Sequence, residues 1–488
     1  MAYQTKEVYI TPPNQNVDNE TIKNGLVKLQ DFYVQMSDDG VSLKKRPGLS
    51  EVLDLGTNQK GDGLYWFDSI AAFIAVSNGR TYKIAQDYTK TDLTGATILA
   101  NNQVSFAEKS YGGTNYLFIC NGSQVIYTNG TAATQAISSI TFNASCIVNF
   151  NNYLIVNKVN SNEWYYNLEG LSSGQTPFVW NLAQMLKAES NPDSIDWLTV
   201  VNNRLYIWGK RSLETWYLDA SAAVPFTMLQ ASQIKEGVIS PHSIQIVEKT
   251  SQIFLDENRR VRLLSGGNLR TLSTNYGKEL QKITTATDAT SAYMLFEGKS
   301  FYKITFKSAN KTFIYDLELN AWSEYGYFNT GTSEYSRFIG EIYAYSPTWN
   351  KHFFMSNSNG KIYEFSTNYK TDDGNVINSF IETGNRDHGT NNWKRSRNLR
   401  ALITAGTEYY SAPNQEAVIE LEHADDGSVL FSNRKTISLK NSTQTRDNNV
   451  VLLRRGGRYK SRKYRLYAPD SVSLVIYGIY EEVEIGNI

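Results

Sequence analysis

The chain has 488 residues, and its 48 Lys and Arg balance 48 Asp and Glu, so net charge neither implies nor excludes a nucleic-acid partner. Its 32 Tyr, 21 Phe and 9 Trp, set against 10 Pro and 4 His, suit pleated, half-buried surfaces and predict a mostly β protein. No apolar run approaches the ~20 residues of a membrane span, and MAYQTKEVYITPP lacks the charged start and apolar stretch of an export signal, which predicts a soluble protein made in a cytoplasm, without membrane insertion.

Residues 1–50 read as an extended lead-in with a hairpin turn at Asp38-Asp39-Gly40 and a break at Arg46-Pro47-Gly48. Cys120 and Cys146 each sit in an apolar strand-like run and read as buried, reduced thiols. From Leu64 a unit recurs. One pattern is stated twice in nearly the same words, NNYLIVNKVNSNEWYYN from Asn151 and NNRLYIWGKRSLETWYL from Asn202: an Asn-Asn turn, an alternating strand, a polar turn and an aromatic strand. A hairpin of this kind cannot bury its apolar face alone, so repeated copies must stack.

The closing strand of each unit carries one anchor: Tyr82, Tyr127, Tyr166, Tyr217, Val261, Tyr315 and Tyr363, separated by 45, 39, 51, 44, 54 and 48 residues. Units of this length, made of short strands, are the signature of propeller blades. The spacing therefore predicts an all-β fold: a β-propeller of about six or seven blades over residues 51–370, with the doubled hairpin in blades three and four. It also leaves room for a strand of VSLKKRPGLSEVLDL to close the circle beside NGKIYEF. The one exception to the strand pattern is QTPFVWNLAQMLKAESNPDSIDWL, where Phe178, Leu182, Met185 and Leu186 fall at helical spacing and predict a short surface helix. After Phe365 the period stops, and residues 371–488 change to longer alternating runs with a hairpin turn at Asp425-Asp426-Gly427, a smaller C-terminal β-sandwich.

Motifs for chemistry are absent. Gly298-Lys299-Ser300 lacks the glycine that a phosphate-binding loop needs five positions earlier, where Tyr293 stands. His242, His352, His388 and His423 are scattered, with no second His or Cys at metal spacing. No catalytic residue, metal ligand or cofactor is indicated; a propeller glycosidase or glycan-binding protein would need only a carboxylate pair, which remains the enzymatic alternative. One charge run stands out: Arg454, Arg455, Arg458, Lys460, Arg462, Lys463 and Arg465 lie within twelve residues. Alternation places Arg462 and Tyr464 on one strand face and Lys463 and Arg465 on the other, so at least half of this charge must meet water, phosphate or a carboxylate. A solvated strand pair, a wall near DNA and a salt-bridged subunit interface all fit.

The stretch AESNPDSIDWLTVVNNRLYIWGKRSLETWY resembles the tail-hub family of short-tailed bacteriophages, whose members are called packaged-DNA stabilisation proteins or tail accessory factors. The matching positions are Ala188, Glu189, Pro192, Asp193, Trp208, Gly209, Ser212, Glu214 and Trp216. The segments KKRPGLSEV, EGVISPH and VLLRRGGRYKSRKYRLY are similar to further parts of that family. The resemblance implies a non-enzymatic virion component, assembled in the bacterial cytoplasm as a hexameric hub or nozzle ring. Such a ring would attach below the portal-adaptor protein, close the channel through which double-stranded DNA leaves without sequence-specific binding, and support tail spikes, fibres or a needle. Within a ring, the basic run is expected at subunit interfaces, and the aromatic residues of the doubled hairpin as blade core.

Overall fold

The computed structural model describes residues 4–8, 10, 25–37, 40–56, 60–171, 173–189, 193–219, 222, 224–230, 233–274, 276–405, 417–439 and 449–486. Asp38-Asp39 and Pro192 fall outside this set.

Seven four-stranded antiparallel blades follow one another. Their first strands are Gly61–Phe67, Ser105–Tyr111, Ile147–Phe150, Ile195–Val201, Gln245–Val247, Ala289–Phe296 and Ile342–Ser346. All seven sequence anchors fall on third strands: Arg80–Ile84, Ile126–Thr128, Glu163–Asn167, Leu213–Leu218, Val261–Ser265, Lys311–Asp316 and Lys361–Ser366. Six of the seven pack inward to a greater or lesser degree, but Tyr217 is 38% exposed and its neighbour Trp216, 6% exposed, fills the core position of blade four. The fourth strand of the last blade is Gly48–Asp54, which pairs antiparallel with Lys361–Ser366, so the chain's early segment closes the ring as the sequence allowed.

The doubled hairpin occupies the second and third strands of blades three and four. Its Asn-Asn pairs sit in the turns before these strands, and all four asparagines adopt left-handed backbone, with φ of 48° and 70° at Asn151 and Asn152 and 50° and 55° at Asn202 and Asn203. Two left-handed residues in succession suit the two-residue hairpin turn, and asparagine tolerates them better than other side chains do. Asn151 Nδ2 donates to Asn203 Oδ1 at 2.6 Å and Asn202 Nδ2 to Thr250 O at 3.0 Å, so the turn residues also tie each blade to the next. Asn157, at the end of the second strand of blade three, works in the same way, its Nδ2 donating to Ile195 O across the blade boundary at 3.1 Å. The abundance of asparagine thus has a structural use at the seams.

The expected helix does not form. Thr176 and Val179 make an isolated bridge, and Met185–Lys187 is the fourth strand of blade three. Phe178, Leu182 and Met185 pack on the core shared by blades two and three, while Leu186 turns to the core shared by blades three and four. Alternation across a strand places Met185 and Leu186 on opposite faces, which the helical reading would have kept together. The two cysteines are buried with free thiols, and burial pushes Cys146 up to about 12.

The remaining strands build two further sheets. One runs Phe32–Ser37, Gly40–Lys45, Leu474–Ile485, Lys394–Ala405 and Asn449–Tyr459, with Gln4–Val8 also beside Leu474–Ile485. The other runs Leu26–Gln30, Ser379–Thr383, Arg462–Ala468, Val418–Asp425 and Lys435–Ser438, and joins the outer strand of blade six through Gln30 opposite Glu324. A single core, including Val8, Leu29, Phe32, Leu399, Ile419 and Ile479, fills the space between them. Residues 26–45 therefore belong to the same two-sheet unit as residues 379–485 instead of leading into the propeller as a separate piece.

Three consecutive cations anchor this arrangement. Lys44 pairs with Glu297 in the first turn of blade six at 2.9 Å, and buried Lys45 donates to the carbonyls of Ala468 and Asp470 at 2.9 and 2.6 Å. The Arg46 side chain is fully buried, pairs with Asp31 at 2.6 Å and Asp372 at 2.5 Å, and donates to Gly326 O at 2.7 Å. Its guanidinium lies 5.3 and 4.8 Å from the ring centres of Tyr325 and Phe338. Gly48, two residues on, passes so close to Thr371 O that an added Cβ would stand 2.2 Å from it.

Removing one partner of a buried ion pair strands the others without solvent, at a cost of about 3–5 kcal/mol. Arg46→Met should therefore lower the melting temperature strongly and open the N-terminal segment to limited proteolysis, with Arg46→Lys intermediate because one ammonium cannot reproduce the fork. A pH effect is expected at Asp62, which burial raises to about 6 against the opposing backbone donor Asn101 N. The folded state then holds a proton that the unfolded state has released, so this group's contribution to stability declines as pH rises from about 4 to about 6. Asp62→Asn should flatten that part of the stability–pH curve, measured by thermal melts across the range.

Candidate functional site

The segment that carries the family resemblance locks blade four at both ends. Asp193 Oδ2 accepts from Arg211 N at 2.9 Å and Oδ1 from Ser212 Oγ at 2.8 Å, closing the loop between the second and third strands over the one that enters the blade. A Cβ on Gly209 would lie 2.4 Å from Asp193 Oδ2, so a larger residue there would push the carboxylate out of this position. Glu214, 1% exposed, accepts from Glu189 N at 2.7 Å and from Trp216 Nε1 at 2.9 Å. Trp208 is fully buried and donates through Nε1 to Thr199 Oγ1 at 2.9 Å, which in turn donates to Gln252 of blade five at 2.5 Å. These residues brace blade four against its neighbours and present no open cleft.

The basic run divides into two sets. Arg462 is 1% exposed, holds Asp425 with two hydrogen bonds of 2.5 and 2.8 Å, and stacks 4.1 Å from the Tyr459 ring centre. Arg465 reaches Glu382 at 2.6 Å and Glu422 at 3.6 Å. Lys463 lies over Phe431 and Lys460 over Trp393. Beneath them Glu481, whose carboxyl is held below its usual range by His388 and Tyr464, accepts from Tyr459 and Tyr464 at 2.8 and 2.7 Å. The second set, Arg454, Arg455 and Arg458, is exposed on the edge strand Asn449–Tyr459. Beside it on Lys394–Ala405 stand Arg395 and Arg397, also exposed, which the run of seven did not include. Their R-x-R spacing in KRSRNLR, one strand face apart from the buried Lys394 and Ser396, is the signal that could have found them.

The centre of the propeller offers little room. A cavity of about 180 Å³ lies among the first strands, lined by residues such as Gly63, Gln103, Phe106, Gln245, Ser291 and Tyr343. At the ~10–15 Å³ of such space that one water needs, this holds on the order of a dozen waters, far too little for a polymer strand. Among the described residues no group of His, Cys, Asp or Glu is placed to hold a metal ion.

The role of Glu214 in bracing blade four is open to a direct check. Glu214→Leu leaves two buried donors, Glu189 N and Trp216 Nε1, without their acceptor, and should cost about 2–5 kcal/mol in chemical denaturation, with Glu214→Gln losing less.

Several solved structures are similar in outline. The N-terminal domain of Nup159 is 10% identical with a TM-score of 0.41, the match covering 69% of this chain and 98% of that one. The extracellular domain of the hybrid two-component system BT4673 of B. thetaiotaomicron is 10% identical with a TM-score of 0.43, covering 80% of this chain and 47% of that one. A luciferin-regenerating enzyme is 12% identical with a TM-score of 0.35, covering 66% and 95%. Scores this low carry no functional argument, and no curated protein matches the sequence. The family model described as bacteriophage P22 Gp10, β-propeller, matches residues 34–370, a span that begins in the Phe32–Ser37 strand and ends after the seventh blade. With well over half of its length matched, closing strand included, the chain belongs to this phage-stabilisation family of β-propeller proteins.

Proposed function

We propose that the chain is a structural subunit of a short-tailed phage's tail hub or nozzle, several copies of which form a ring, six by family resemblance. The ring attaches below the portal-adaptor protein, closes the DNA exit channel to retain the packaged genome, and supports spikes, fibres or a needle. The observation that carries this reading is a propeller sealed by its own early strand around a central cavity of about 180 Å³. A molecule built in this way cannot thread DNA through itself. It can serve as a rigid wedge, and wedges related by rotation enclose a channel between copies. The blade-connecting loops, set on a scaffold braced by ion pairs, supply docking faces for other tail parts.

Electron microscopy of the purified chain mixed with the portal-adaptor protein tests this: a closed ring seated under the adaptor is expected. Phage particles lacking the chain should package DNA and then lose it. Particles that retain their genome without the chain, or saccharide turnover by the purified protein that is lost on mutating a carboxylate pair, would overturn the structural role in favour of action on host-surface glycan.

A further inference from the structure

Five exposed arginines lie on one two-stranded ribbon, and among the described residues Arg397 is the one of them with an ion pair to a carboxylate of the fold. Arg395 stands directly opposite Arg458, and Asn398 opposite Arg454, in the antiparallel pair formed by Lys394–Ala405 and the edge strand Asn449–Tyr459. Like charges placed face to face across strands are destabilising. Glu484 is Arg395's neighbour on the other side, but no ion pair joins them, and Glu482 lies 3.9 Å from Arg397 and 3.7 Å from Arg400. Among the described residues, Arg395, Arg454, Arg455 and Arg458 have no carboxylate within ion-pair distance, in contrast to buried Arg462 and half-buried Arg465 just beyond.

The backbone contributes a second, independent observation. Ser396 pairs with Gly457 and Asn398 with Arg454, so Arg455 and Gly456 together face the single residue Arg397, which makes a β-bulge. Arg455 has φ of 55°, a left-handed conformation that costs a non-glycine residue roughly 1–2 kcal/mol. Regular alternation would turn one of Arg454 and Arg455 inward, whereas both are exposed here. The bulge therefore presents two successive guanidinium groups to solvent. Gly457 follows with nothing within 4 Å of its would-be Cβ, which leaves the backbone open to close approach by a ligand. At the end of the ribbon Trp393 is 52% exposed, with the Lys460 ammonium 5.4 Å from its ring centre.

The chemistry of this face selects its ligand. Guanidinium forks match phosphate oxygens, and residues two apart on a strand, such as Arg395 and Arg397, lie about 7 Å apart. That distance is close to the through-space separation of neighbouring phosphates on one strand of a duplex, where each ~3.4 Å axial rise comes with a turn about the axis. A protein partner would need an apolar centre, and apart from Trp393 this face offers arginine, glycine and Asn398, with Glu482 and Glu484 along its inner margin. We propose that Arg395, Arg397, Arg454, Arg455 and Arg458 form a sequence-independent site for the phosphate backbone of duplex DNA. The proposal rests on the tail-component reading for the presence of DNA beside the protein. It also separates the seven-residue basic run by role: Arg462 and Arg465 hold the two-sheet unit together, and the bulged strand before them meets the polymer.

Fluorescence anisotropy with the full chain and labelled 30-base-pair duplexes of unrelated sequence, across about 50–200 mM salt, tests the site. Neutralising five phosphates predicts a log–log salt slope of about −4 to −5, the same for every sequence. Changing Arg454, Arg455 and Arg458 together to Gln should reduce the slope by about 3 and weaken binding more than tenfold at low salt, with an unchanged melting temperature. Arg80→Gln, on blade one and already 61% exposed at its side chain, should change neither. Wild-type affinity and slope in the triple variant would overturn the proposal, as would failure of the wild type to bind duplex at 50 mM salt. So would a triple variant that binds DNA normally but no longer associates with another copy or with the adaptor. Electron microscopy of phage carrying the triple variant keeps the two readings apart: variant tails that assemble normally leave the tail-component reading intact whatever the binding result.

Discussion

The buried contact of Arg46 with Asp31 and Asp372 is the interaction on which the architecture depends. It joins the turn between two strands of the second unit, the start of the strand that closes the propeller, and the segment leaving the last blade. A guanidinium sealed from water among carboxylates is costly to assemble, and its value lies in geometry, because only one arrangement satisfies all its hydrogen bonds at once. Both outer carbonyl contacts, to Pro47 and Gly326, come from the same side chain, which ties the start of Gly48–Asp54 to the outer strand of blade six. Lys44 and Lys45 extend the tie to blade six and to the C-terminal strands, so three consecutive residues hold the two units as one body.

This dependence explains which features were legible in the sequence. The propeller was legible because each blade repeats a local pattern: an aromatic or apolar residue on the third strand, recurring every 39 to 54 residues, and turn residues suited to left-handed backbone. The closing strand could be anticipated because a ring of hairpins must remove its free edge. The partnership of residues 26–45 with residues 379–485 could not, because it is a contact between positions more than three hundred residues apart and leaves no period. The false helix at residues 178–186 failed for a related reason. Short apolar spacing fits a helix and a loop packed between two cores equally well, and Phe178 against Tyr127, with ring centres 4.3 Å apart, shows which tertiary contact decided it.

The basic run was visible as composition but not as structure. Alternation correctly separated Arg462 and Tyr464 from Lys463 and Arg465, yet charge density alone could not reveal that Arg462 would be among the largest fully buried side chains. Its partner Asp425 belongs to the Asp425-Asp426-Gly427 hairpin read from sequence as a turn, so the turn also supplies a counter-ion. Asp426 completes it by accepting from Lys460 N and Ser461 N at 2.7 and 2.9 Å. The tight turn before Arg462 is thereby held in place, and the bulge at Arg455 is braced from below, since a Cβ on Gly456 would meet Arg462 Nη1 at 2.9 Å.

The same strand answers two demands that usually conflict. Asn449–Tyr459 is the edge of its sheet, where unpaired backbone invites association with other chains. Charge and a bulge are the ordinary means of blunting such an edge, and Arg454, Arg455 and Arg458 supply both. An edge blunted by arginine repels another copy of itself while attracting phosphate, so protection against misassembly and affinity for a polyanion come from one set of residues. Acidic residues would have blunted the edge equally well. The choice of arginine, at a bulge that turns two successive side chains outward, is the part that edge protection alone does not require.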